Sequence, residues 1–221
     1  MFEALMNNPI KHLTKKDWTL WLVSLLIVIL SNTLTETTDL LTLIAACIGI
    51  TSLIFTAKGN VWAPILMILF SILYGIISWR FRYWGEIITY LGMTLPMSVC
   101  SAITWIKNPS PSGTEVAIQK LKPVHILGLA VSVTVVTYGF YYILAALNTP
   151  NIVFSTISVT TSFLAASLTM LRSSYYALGY ASNDIALVIL WILASMKNPA
   201  YIPVAVNFAI FFFNDMYGFI C

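Results

Sequence analysis

Eight long apolar stretches constrain this chain more than any other feature of its sequence. A bilayer core of about 30 Å takes roughly 20 apolar residues wound as a helix, with about 17 as the lower limit. Residues 18–34, 40–56, 61–78, 85–105, 124–147, 152–171, 178–196 and 201–220 all meet that measure. Against lipid no water satisfies the backbone, so each stretch must close its own N–H and C=O groups as a helix. Composition agrees. With 59% hydrophobic and 9% charged residues, the chain cannot cover a water-facing surface, which usually needs about a quarter charged residues. The expected fold is an all-α integral membrane protein with eight transmembrane helices.

The connections at 35–39, 57–60, 148–151 and 197–200 read as turns, and 106–123 is the one longer polar linker. The first apolar stretch is too long for a signal-peptide core and is followed by no small-residue cleavage site, so it is expected to stay as a helix. Eight crossings put both ends of the chain on one side. That side holds Lys11, Lys15, Lys16, Lys58, Lys107, Lys120, Lys122 and Arg172, against Arg80, Arg82 and Lys197 on the other. An excess of Lys and Arg marks the cytoplasmic side. Both termini are therefore expected in the cytoplasm, with the chain in the cytoplasmic (inner) membrane.

Several function classes drop out. A net charge of +3 is too small to point to nucleic acid. Cys47, Cys100 and Cys221 show no CxxC or Cys/His spacing, and His12 and His125 sit at span edges, so neither disulfides nor metal are expected. There is no Gly-rich nucleotide loop for an ATP-driven pump. No Ser/His or paired-carboxylate assembly offers itself for catalysis, which leaves a lipid-acting membrane enzyme without its chemistry. The reading is no enzyme and no cofactor.

A faint internal echo organises the rest. Sliding the chain by 118 positions brings Thr42 over Thr160, Leu53 over Leu171 and Tyr83 over Tyr201. Residues 40–105 then form a first three-helix repeat, 106–147 a linker and linker helix, and 152–220 a second repeat, with 18–34 as an extra N-terminal helix. One intervening helix makes the repeats parallel, an arrangement that places a transport site between the halves near the midplane.

Polar residues inside the spans are the candidates for that site. Intramembrane carboxylates usually face the protein interior with a partner or ligand. Glu86, Asp184 and Asp215 are such groups, with the Asn183 amide beside Asp184 as a further polar candidate, although Glu86 and Asp184 also suit helix caps and Asp215 a water-facing position. Asn207 and Asn214 lie on one helical face, which Tyr217 continues, and the offset pairs Asn207 with Thr89. Helix-to-helix bonding by these amides is the alternative reading. Tyr176, Tyr180, Trp191 and Tyr90 add aromatic rings. Rings beside amides are what a flat heterocycle joined to a sugar requires.

The strings YWGEIITYLGMTLPMSVCSAITWIKN (83–108) and NFAIFFFNDMYGF (207–219) closely resemble the PnuC family of vitamin transporters, over most of 40–221. The resemblance implies a three-plus-one-plus-three arrangement related to SWEET transporters. It also implies a nucleoside-like vitamin precursor as substrate, nicotinamide riboside in the best-known members and thiamine or other nucleosides in relatives. Facilitated diffusion and trapping by a cytoplasmic kinase complete the implied mechanism. In typical nicotinamide riboside members a Trp of the penultimate helix stacks on the base. Here the matching stretch reads Tyr175-Tyr176-Ala177-Leu178-Gly179-Tyr180, so stacking passes to Tyr180 or Tyr176 and a deoxynucleoside becomes a competing substrate.

The expected partners are that small molecule, the lipid bilayer and further copies of the chain, as in a trimer. A SWEET-like sugar uniporter and a non-transporting membrane subunit are the alternatives. The charge pattern makes one direct prediction. A cysteine introduced into 106–123 should react with membrane-impermeant reagents only from the cytoplasmic side, and labelling from outside would overturn the eight-span reading.

Overall fold

The structure is a computed structural model that describes residues 9–34, 39–80, 82–111 and 115–220. The turn residues 35–38, linker residues 112–114 and Cys221 lie outside the described residues. Eight long helices follow one another among those described. They are α1 (Lys15–Thr33), α2 (Leu40–Ala57), α3 (Trp62–Arg80), α4 (Trp84–Lys107), α5 (Pro123–Ala146), α6 (Ile152–Met170), α7 (Tyr176–Ser195) and α8 (Ile202–Ile220). All but α1 are long and apolar enough to cross a membrane. In α1 the first turn carries Lys15, Lys16 and Asp17, which lowers its mean hydropathy.

Local chemistry sets the boundaries. Thr14 caps α1 in a reciprocal box with Asp17, and the Asp39 carboxylate accepts from Thr42 N–H at the start of α2. Such caps satisfy N–H groups that a first helical turn leaves open. Arg82 at φ 58°, Asn151 at φ 53° and Arg172 at φ 55° turn the chain between helices. A short 3₁₀ turn, Pro199–Tyr201, leads into α8. The expected span 85–105 is one continuous helix whose middle, Ile88–Thr94, is π-helical. Pro96 has no N–H to return to Gly92, and the wider turns end where it begins, with Leu95 N–H donating to Tyr90 O.

Packing divides the helices into α2–α3–α4 and α6–α7–α8, neighbours touching neighbours within each triple. Between the triples α2 packs on α8 and α4 packs on α6. α1 lies against α2 and α8, while α5 packs against α6 at the outside and buries only Leu144 among its described side chains. Small residues let the helices close up, as is usual in membranes. A Cβ on Gly179 would stand 2.8 Å from Ala165 Cα, and one on Gly49 would overlap the Phe211 ring.

At the basic end three separate elements meet on Asp17, whose side chain is fully buried. Tyr217 Oη–H donates to Asp17 Oδ1 at 2.6 Å, Lys58 Nζ lies 3.0 Å from the same oxygen, and Thr14 N–H donates to Oδ2 at 2.6 Å. The linker is pinned there too. Val116 N–H donates to Gly59 O at 2.8 Å, and the Arg172 guanidinium donates to Ala117 O and to Gln119 Oε1. The opposite end carries an exposed pair, Arg80 with Asp39 at 3.3 Å.

The two ion pairs should respond differently to mutation. Asp17→Ala strands the buried ends of Tyr217 and Lys58, so it should lower stability by about 1–3 kcal/mol. Loss of the exposed pair in Arg80→Ala should cost less than about 1 kcal/mol. Thermal unfolding in detergent compares them, and equal small losses would remove Asp17 as the tie between α1 and the rest.

Candidate functional site

Three small cavities lie in series between the triples, and residue positions along the helices give their order. The one towards the Arg80 end, about 10 Å³, is bounded by Thr42, Tyr74 and Asn207. The middle one, about 20 Å³, is bounded by Tyr90 and Thr94 from α4, Ser162 from α6, Tyr180, Asn183 and Asp184 from α7, and Asp215 from α8. Phe70, Phe208 and Phe211 line both of these cavities. A third, about 10 Å³, runs towards the basic end past Ser98, Ser101 and Thr169, with Tyr180 at its border. A single water needs about 10–15 Å³ on this measure, whereas small-molecule sites take about 300–1,000 Å³. The bundle is therefore closed around a polar file that must widen before it can hold an organic ligand.

The middle cavity has an unusual hydrogen-bonding inventory. Asn183 Oδ1 accepts from the hydroxyls of Ser158, Thr161 and Ser162 at 3.3, 3.2 and 3.0 Å, and its side chain also bonds the Tyr90 phenol. The Asn183 oxygen thus ties α7 to α6. Asp184 and Asp215, 3% and 4% exposed, bring their carboxyl groups into direct contact. Asp184 Oδ2, Thr94 Oγ1 and, in the neighbouring cavity, Asn207 Oδ1 are buried without a partner. Buried polar groups are nearly always satisfied, so these three, which border the cavities, are candidates for contact with a ligand or water. Among the described residues no Lys, Arg or His borders any of the three cavities.

Both ends of the file are shut by aromatic side chains. Towards the Arg80 end Trp191 is fully buried, donates to Tyr74 Oη at 2.9 Å and packs at 4.8 Å from Tyr83 and 5.6 Å from Tyr201. Towards the basic end Tyr176 Oη–H donates to Thr56 O at 2.6 Å, and Gly218 packs on Ala57. Beyond that contact a vestibule of about 560 Å³ opens beside Lys58, Arg172 and Tyr175.

Of the residues singled out from the sequence, Tyr90, Tyr180, Asn183 and Asp184 share the middle cavity and Asn207 borders the next. The others do not line it. Tyr217 is committed to Asp17 and Asn214 donates to Ser24 Oγ of α1 at 3.0 Å and to Ile210 O, so both tie helices together. Thr89 bonds back to Gly85 O within its own helix. Trp191 and Tyr176 stand in the two closures rather than in the cavity. Glu86 is 2% exposed with Oε2 unpartnered, but borders none of the three cavities.

The capping and water-facing readings are corrected as well. Asp184 lies in the third turn of α7 and Asp215 in the body of α8, both away from water. Its place near the chain end leaves Asp215 open to a water-facing alternative, and the packing of α7 on α8 turns it inward. Thr94 and the Phe70, Phe208 and Phe211 rings were missed. Phenylalanines in an apolar span look like any other lipid-facing or core residue, and Thr94 reaches the cavity from the π-helical stretch.

Removing the Asn183 acceptor tests the polar register. Asn183→Ala leaves the buried hydroxyls of Ser158 and Ser162 short of an acceptor, while Thr161 keeps Ile157 O, and should lower stability by about 1–3 kcal/mol, read as thermal unfolding in detergent. Ser162→Ala removes one donor and keeps the acceptor, so it should lose less; an equal loss would show that the Asn183 oxygen is not what ties the helices.

Comparison with known proteins places this architecture. Residues 39–221 match the family described as nicotinamide mononucleotide transporter. A nicotinamide riboside transporter PnuC from Neisseria mucosa is 26% identical over 187 residues, which cover 80% of this chain and 69% of that one. The solved structure described as the crystal structure of the vitamin B3 transporter PnuC has the same fold, with a TM-score of 0.83 at 22% identity over 99% of this chain and 93% of that chain. With its long apolar helices packed around a closed polar file and with residues 39–221 matched, the chain belongs to the PnuC family of membrane transporters and is not an enzyme.

Proposed function

We propose that this chain carries a nucleoside-like vitamin precursor, nicotinamide riboside or a close relative, through the polar file between its helix triples. The observation that supports this most directly is the middle cavity. It sets tyrosines on two walls and unpartnered carboxylate and hydroxyl oxygens on others, and its exits are closed by packed rings at one end and by the Tyr176 bond to Thr56 O at the other. Tyr180 takes the stacking role, since it borders two of the three cavities. Asp184, Asp215, Thr94 and Asn207 take the hydrogen bonds. A phosphorylated nucleoside is a poor fit, because a phosphate needs cations or N–H clusters and the cavities have no basic residue on their walls.

The finer architecture we propose is eight crossings in a three-plus-one-plus-three plan, with α1 as the additional crossing and α5 as the joining helix. The contacts α2 on α8 and α4 on α6 favour it, because parallel repeats related by a two-fold axis would exchange these two pairs. Both ends of the chain then face the cytoplasm from the inner membrane. Transport proceeds by facilitated diffusion, the two closures opening in turn, and a cytoplasmic kinase traps the product. A homo-oligomer such as a trimer is the expected assembly, and α5, exposed along its length, is the surface available for it.

Two measurements test the proposal. Without an imposed membrane potential, uptake of nicotinamide riboside into liposomes should stop when inside and outside concentrations match, whatever the pH or sodium gradient. An overshoot driven by either gradient would replace facilitated diffusion with coupling. Tyr180→Ala should weaken nicotinamide riboside binding by about 1–3 kcal/mol, and Tyr180→Phe should keep most of it. Unchanged affinity in the alanine variant would move the binding site away from this cavity.

A further inference from the structure

At the basic end the seam between the triples is closed where α2 meets α8. Ala57 packs on Gly218 there, and a Cβ on Gly218 would stand 3.1 Å from Ala57 Cβ. The residues beside that contact are Lys58, which ends α2, and Tyr217, in the last turn of α8. Both are bound to Asp17 Oδ1, Lys58 at 3.0 Å and Tyr217 at 2.6 Å. Lys58 also lies over the Tyr217 ring, 5.9 Å from its centroid. One carboxylate of α1 thus bridges the two sides of the seam, next to the point where the triples must part if the file is to open at this end.

The rest of α1 supports that bridge. The helix straddles the seam, since Trp21 Nε1–H donates to Thr51 Oγ1 of α2 at 3.2 Å and Asn214 Nδ2–H of α8 donates to Ser24 Oγ at 3.0 Å. Thr14 donates to Asp17 Oδ2 from its N–H and its hydroxyl, at 2.6 and 2.7 Å, which fixes the direction of the carboxylate. Asp17 is fully buried, so each donor it loses is replaced by little or no water. Lys58 and Tyr217 cannot move apart with their helices and both stay on one oxygen. Opening therefore breaks at least one charge-assisted bond, and such bonds are about twice as strong as neutral ones. Among the described residues the Arg80 end has no carboxylate in such a bridge. Rings pack there, and the Arg80–Asp39 pair joins α3 to α2 within one triple.

We propose that Asp17 is a positioning residue for the gate at the basic end. It latches the ends of α2 and α8 together through Lys58 and Tyr217, so that α1 sets how often this gate opens. The proposal rests on the transport reading, in which this end faces the cytoplasm and the gate releases the substrate. It gives a helix outside the matched residues 39–221 a part in the transport cycle as well as in packing.

Thiol labelling of the purified protein in detergent reads the gate. With Cys47, Cys100 and Cys221 replaced by alanine, Ser101→Cys sets a thiol in the cavity nearest the basic end, and Ala46→Cys sets one in the cavity nearest the Arg80 end. Tyr217→Phe removes one donor of the latch and keeps the ring, and Asp17→Asn removes the charge and keeps the outline. In either variant a small charged methanethiosulfonate should react about tenfold faster at position 101, and at its former rate at position 46. Ser24→Ala removes an α1–α8 bond about 10 Å further along α1 and should change neither rate. Unfolding transitions identify the folded variants, and Tyr217→Phe, which loses a single hydroxyl, decides the matter if Asp17→Asn does not fold. Unchanged labelling at position 101, equal acceleration at position 46, or the same acceleration in Ser24→Ala would overturn the latch. Uptake of nicotinamide riboside into liposomes by the wild-type protein separates the two readings. No uptake removes the transport proposal whatever the labelling shows, and uptake with unresponsive labelling removes the latch alone.

Discussion

Lipid offers no hydrogen bonds, and the rest of this structure depends on that. Each backbone segment in the hydrocarbon must be a helix, and each polar side chain on such a helix must find its partner inside the bundle or go without. Ser52 donates to Ala63 O of the next helix, Trp105 to Thr169 O, Tyr176 to Thr56 O and Trp191 to Tyr74 Oη. These bonds are few and each crosses between helices, so they fix the rotation of one helix against another. Small residues at Gly49 and Gly179 then allow the helices to approach closely enough for the bonds to form.

Against that background the groups left without partners acquire meaning. A bundle that satisfies Asn183 with three hydroxyls could have satisfied Asp184 as well. It leaves Asp184 Oδ2, Thr94 Oγ1 and Asn207 Oδ1 open instead, all along one narrow file between the triples. The closures on either side are built differently. Towards the Arg80 end they are ring against ring, and towards the basic end they are one hydrogen bond from Tyr176 to the Thr56 carbonyl and a glycine contact. For a carrier, opposite closures of unlike chemistry mean that the two gates need not open at the same energetic cost.

The α1 helix lies outside the matched residues 39–221, yet it is bound into the bundle. Asp17 joins it to the α2–α3 turn through Lys58 and to the end of α8 through Tyr217, and Ser24 accepts from Asn214. The stripe formed by Asn214 and Tyr217 is therefore the surface on which the additional helix is docked. Two residues that resemble site residues in type and spacing serve assembly, because the face they occupy on α8 is turned to α1 and away from the cavity.

The sequence by itself determined the class of the protein and the extent of its helices. Length and apolarity of the stretches dictate helix in a bilayer, and the observed boundaries fall within a few residues of those expected. It also carried the family, since strings such as NDMYGF combine polar residues with an apolar setting in which chance rarely places them. Part of the candidate site was legible too: Tyr90, Tyr180, Asn183, Asp184 and Asn207, which line its cavities, are polar or aromatic residues inside spans, where hydrophobicity alone would not put them. What the sequence could not decide was direction. A helix is the same in sequence whichever face meets the cavity, so Asn214 and Asn207, one residue type on one stripe, had to await the packing of α8 to be told apart. The same packing brought Asp215 beside Asp184 and moved Trp191 into a closure. The π-helical turns before Pro96 set the course of α4 where Tyr90 and Thr94 reach the cavity. Periodicity reports which residues share a face, and only tertiary contacts determine what that face meets.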